Sequence, residues 1–171
     1  MSDKKSKVFR YLAYTIEIII IFILNSTPDF LPMIFNAKPC LLICVSLSIA
    51  VFEREIPSMV FGLFCGVLID VGFSNSIGMF TIALTVLCFI IGYCSNNLLT
   101  ANIITFLVCS LLVTVGVLSL NFYFSYAVLG YADGALYYKT HYISRIVQTF
   151  IFSIPFYFIN KFIYNTLSSD D

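Results

Sequence analysis

The chain has 171 residues, of which 60% are hydrophobic and 11% charged, and its formal net charge is zero. Its mean hydropathy is +0.99. So small a charged share, against roughly 25% in soluble domains, excludes a soluble globule. Charge balance excludes an extended basic surface for nucleic acid, and continuous apolar runs in place of short alternating ones exclude a transmembrane barrel. An all-α polytopic membrane bundle of about six transmembrane helices with short loops is left, one integral membrane domain over residues 1–171.

The first apolar run covers residues 8–24 and follows Lys4, Lys5 and Lys7, with Arg10 in its first turn. A signal peptide has this outline, but Asn25-Ser26-Thr27-Pro28 carries no small-residue cleavage pattern, so an uncleaved anchor is expected. Pro28 and Pro32 punctuate a turn-rich segment, and Leu31–Phe35 is short enough to lie at the interface. The second span, 39–52, is marginal against the ~20 residues of a full crossing; a place inside the bundle would explain its brevity.

Glu53-Arg54-Glu55 makes a charged turn before the third span, 57–73, whose Pro57 suits a first helical turn. Ser74-Asn75-Ser76 separates it from the fourth, 77–93, which ends before Ser95-Asn96-Asn97. The fifth, 103–129, is long enough to tilt or to break near Asn121. After the loop Gly130–His141 the sixth runs over 142–164, with Pro155 as an expected kink.

Six spans put both termini on one side. Lys4, Lys5, Lys7, Arg10, Arg54 and Lys161 then share the N-terminal side, against Lys38, Lys139 and Arg145 on the other. The positive-inside bias makes the N-terminal side cytoplasmic. The loops are short, so activity of any kind would have to sit between helices.

Few residues suggest chemistry. The six cysteines, Cys40, Cys44, Cys65, Cys88, Cys94 and Cys109, make no CxxC pair and have no histidines at zinc spacing. They read as packing residues with free thiols, and no metal and no cofactor is expected. His141 is the sole histidine and stands beside Lys139 and Tyr142 without a nucleophile. No catalytic residue is assigned. Glu17, seven residues past Arg10, lies roughly 10 Å deeper by helical rise and needs a donor on its own helix or a neighbour.

The most informative stretch is residues 57–93. Ser58, Gly62, Gly66 and Asp70 recur every four residues and form one slowly drifting stripe. Small residues so spaced admit the close approach of another helix, inside the bundle or from a partner. Asp70 lies fifteen residues past Glu55, roughly 22 Å along the helix, which places it in the outer half of a ~30 Å hydrocarbon layer. The negative end of its own helix disfavours the carboxylate there. By matched depth, Asn121, Arg145 and Gln148 are the expected members of an outer-leaflet polar cluster with Asp70.

The pattern Gly62-x-x-x-Gly66-x-x-x-Asp70, followed by a short turn and Gly78, resembles the MreD family of bacterial rod shape-determining membrane proteins. The hydropathy of most of the chain is similar as well. The resemblance implies a non-enzymatic scaffold of cell-wall elongation in the bacterial cytoplasmic membrane. It implies an MreC-like bitopic partner and, through the complex, an MreB-like filament and the wall synthases, with the lipid bilayer around it. It also implies a fold similar to the substrate-binding subunits of energy-coupling-factor vitamin transporters. A small-molecule-binding transporter subunit is therefore the alternative. Bulky Ile18, Ile19, Ile20 and Ile21 occupy the first span, where those subunits carry small residues, and weigh against it.

Overall fold

The computed structural model describes residues 2–27, 38–72, 78–97, 102–124 and 138–168. These form six α-helices: α1 (Ser2–Ser26), α2 (Leu41–Phe52), α3 (Glu55–Gly72), α4 (Met79–Asn97), α5 (Ile103–Phe122) and α6 (Ile143–Ser168). A π-helical turn, Tyr138–Tyr142, leads into α6. Helices α1, α3, α5 and α6 are long and apolar enough to cross a membrane, and α2 and α4 supply shorter apolar stretches. The molecule is an all-α membrane bundle. The interfacial stretch expected at Leu31–Phe35 and the turn expected at Ser74–Ser76 lie outside the described residues.

Helix α2 is the hub. Its 12 residues rise about 18 Å, well short of the hydrocarbon thickness. Leu41 through Val51 are all buried, and the other five helices all pack against it. The sequence dictates this position, because LLICVSLSIAVF is apolar around its whole circumference. The two serines do not break the pattern: Ser46 Oγ and Ser48 Oγ each donate to a carbonyl of their own helix, Ile43 and Val45, at 2.9 Å.

Around α2 the neighbours run α1, α6, α5, α4, α3 and back to α1. Helices α1 and α6 are antiparallel. Ser6 Oγ donates to the Leu167 carbonyl, the Arg10 guanidinium lies 5.0 Å from the Tyr164 ring, and Asn160 reaches Glu17 at 3.1 Å. The start of α1 and the end of α6 thus share one end of the bundle, the Arg10 end. The start of α6 marks the opposite, Arg145 end. Pro155 sits inside α6, where it removes a donor from the helical ladder.

Polarity is distributed as a membrane requires. Val8, Leu12, Val60, Ile82, Leu112 and Phe162 stand exposed on the outside, whereas Ser110, Thr114, Gln148, Thr149, Ser153 and Asn160 are buried. In water such a surface would drive aggregation. In lipid the apolar faces are solvated, and polar side chains gain by finding partners within the bundle.

Candidate functional site

The closest pairing in the bundle is α3 against α4, and it is built from the glycine stripe. The two helices run antiparallel, so Ser58 faces Gly92, Gly62 faces Cys88, and Gly66 faces Thr81. A Cβ on Gly62 would fall 2.8 Å from both Cys88 Cβ and the Leu84 carbonyl oxygen. One on Gly66 would fall 2.5 Å from Thr81 Cα, which is backbone and cannot rotate away. Gly92 reciprocates from α4: its added Cβ would meet Ser58 Oγ at 2.8 Å and Glu55 Cα at 3.0 Å. Ser58 Oγ lies 2.8 Å from the Arg54 carbonyl and 3.1 Å from the Glu53 carbonyl, which joins the stripe to the end of α2.

Gly92 lies outside the four-residue stripe of α3, yet its own signal is present in the sequence. Thr81, Thr85, Cys88 and Gly92 put small side chains on one face of α4 at three- and four-residue steps. A stripe on each of two successive helices makes the pair self-complementary.

Asp70 closes this pair. Its carboxylate accepts hydrogen bonds from the Phe80 N–H at 3.2 Å, the Thr81 N–H at 2.8 Å and the Thr81 hydroxyl at 2.6 Å. Phe80 and Thr81 are the second and third residues of α4, the donors that an N-cap side chain normally satisfies. Gly78 precedes α4 with φ +82° and has no side chain to offer. Asp70 of α3 therefore caps α4 from outside, at the end where the α4 dipole favours negative charge.

This corrects the expected cluster of Asp70 with Asn121, Arg145 and Gln148. The donors to Asp70 are backbone and hydroxyl groups of the next helix, which matched depth alone does not reveal. Asn121 Oδ1 accepts from the Tyr142 hydroxyl at 3.0 Å, and Gln148 Nε2 donates to Ser144 Oγ at 3.2 Å. Arg145 lies by the Cys40 thiol at the start of α2. Close by, Thr149 Oγ1 accepts from the Cys40 N–H at 3.1 Å.

Two polar contacts join α1 to the interior. Arg10 and Glu53 form a buried ion pair, with Nε 2.5 Å from Oε1 and Nη2 3.2 Å from Oε2. Burial pushes the Glu53 carboxyl above its ordinary value, and the Arg10 charge opposes that shift. The two lie 43 positions apart in sequence, but both stand where a span meets the same membrane face. Deeper in, Asn160 donates both to Glu17 and to Ser48 Oγ, the latter at 2.7 Å. All six cysteines are free, with Cys40, Cys44, Cys65 and Cys88 buried.

No curated protein and no solved structure matches the chain significantly. The family model described as rod shape-determining protein MreD matches residues 5–166, which take in every helix from α1 to α6. The chain belongs to the MreD family of rod shape-determining proteins.

Proposed function

We propose that this protein is a non-enzymatic membrane scaffold of the cell-wall elongation machinery, working through helix–helix contacts in the bacterial cytoplasmic membrane. The Arg10 end faces the cytoplasm, by the weight of Lys4, Lys5, Lys7 and Arg10 beside it. The partner is an MreC-like bitopic protein, which links the chain to an MreB-like filament and the wall synthases. Membership of a shape-determining family supports this reading. The observation that carries it is the allocation of surfaces: Ser58, Gly62, Gly66 and Asp70 face α4 of the same chain. Partner contacts then fall to the outward apolar faces.

Removal of the protein from a rod-shaped host tests the proposal. Cells should round up, and wild-type protein should restore rods and copurify a bitopic wall protein from detergent. Persistence of rods without the chain, or copurification of a vitamin-like small molecule with a transporter ATPase, contradicts it.

A further inference from the structure

The groove between α1 and α6 has an acid at its side that the bundle leaves half satisfied. The groove holds about 510 Å³ and is lined by Ala13, Ile16 and Ile20 of α1 and Phe156, Ile159 and Ile163 of α6, with Glu17 among them. Glu17 Oε1 accepts from Asn160 Nδ2 at 3.1 Å. That amide also serves Ser48 Oγ at 2.7 Å and the Phe156 carbonyl at 3.1 Å, three acceptors for two hydrogens. Glu17 Oε2 and Asn160 Oδ1 are both buried without a hydrogen bond. The basic side chains nearby are engaged elsewhere: Arg10 pairs with Glu53, and Lys161 Nζ lies 5.8 Å from the Tyr157 ring.

We infer that this groove receives a transmembrane helix of a partner that carries a lysine or arginine, whose cation is held by Glu17. Charge complementarity selects the occupant. A carboxylate with an unsatisfied oxygen at membrane depth attracts a cation with donors to spare, and a lipid acyl chain supplies none. Depth agrees. Glu17 is roughly 10 Å along α1 from Arg10, within reach of a long basic side chain that enters the membrane near the cytoplasmic flank of a single-span helix, where such residues concentrate. Isoleucines on both walls leave apolar surface for the rest of that helix. The inference names the chemistry of the partner surface within the scaffold reading and rests on it for the existence of such a partner.

The test uses the full chain in lipid nanodiscs and a synthetic leucine–alanine transmembrane helix with lysine flanks. One version of the probe has a lysine two turns inside its flank and the other a leucine there. Energy transfer between dyes on the probe and on the start of α1 reports association. The lysine helix should bind about tenfold more tightly than the leucine helix, a typical scale for a polar contact in lipid. Glu17→Ala should erase that preference, and Glu17→Lys should transfer it to a glutamate-bearing probe. Ile20→Trp, which fills the groove and keeps Glu17, should weaken the lysine probe while the thermal unfolding of the bundle stays unchanged. Equal binding of the two probes to the wild type means that lipid fills the groove and overturns the inference, as does a lysine preference that survives Glu17→Ala. Normal restoration of rods by a protein without the lysine preference defeats this inference alone. A lysine preference in a protein that restores nothing defeats the scaffold reading alone.

Discussion

Asp70 stands where two helix dipoles meet. It ends α3, whose carbonyl end repels it, and reaches the start of α4, whose free N–H groups attract it, so the second effect has to exceed the first. Three hydrogen bonds, the shortest 2.6 Å, do so. Loss of the cap leaves the Phe80 and Thr81 donors unsatisfied at membrane depth, and Asp70→Ala should cost about 1–3 kcal/mol. Unfolding measurements on Asp70→Ala, Thr81→Val and the double variant should show coupling, whereas Asp70→Ala and Arg145→Ala should add independently. Gly78 makes a different demand: nothing lies within 4 Å of an added Cβ, but φ is +82°. Gly78→Ala should therefore cost only backbone strain, about 1 kcal/mol, and Gly66→Ala, which meets backbone at 2.5 Å, should cost more in the same assay. The acid and the glycines are visible in the sequence because their spacing is regular. The receiving groups of Asp70 are not, since backbone N–H groups carry no residue identity.

At the scale of the element, α2 and the α3–α4 pair set the architecture. The shortness of α2 is legible from its fourteen-residue apolar run, and its central place follows from the absence of a polar face. The order of helices around it is not legible, because apolar faces do not name their neighbours. Burial at this scale can be read by thiol chemistry. In the native protein in detergent, Cys94 and Cys109, both partly exposed, should react with a maleimide, while Cys40, Cys44, Cys65 and Cys88 should not until the bundle is unfolded. Fast labelling of Cys40 or Cys44 would place α2 at the lipid surface instead. The attachment of α1 to the end of α2 depends on Arg10 and Glu53, whose side chains are 7% and 3% exposed. Arg10→Met strands a buried carboxylate and should cost about 3 kcal/mol. Adding Glu53→Leu should recover most of that loss, since an apolar pair of similar volume needs no desolvation.

For the whole molecule, apolar residues cover the outside and polar ones link the helices within. Both described termini lie at the Arg10 end, so reporter fusions at either end should read the same side of the membrane, the cytoplasmic one if the basic cluster governs orientation. The chain belongs to a rod shape-determining family, and the glycine stripe holds its bundle together from within. The most direct measurement is a disulfide across it. An added Cβ at Gly92 lies 3.0 Å from Ser58 Cβ, near the ~3.8 Å of a disulfide after slight relaxation. In an otherwise cysteine-free chain, the double variant Ser58→Cys, Gly92→Cys should oxidise in membranes to an intrachain bond, run as a monomer and still support rod-shaped growth. Oxidation into a chain-to-chain dimer or into an adduct with another protein would contradict the account, because the stripe would then be a partner surface and not the seam of α3 and α4.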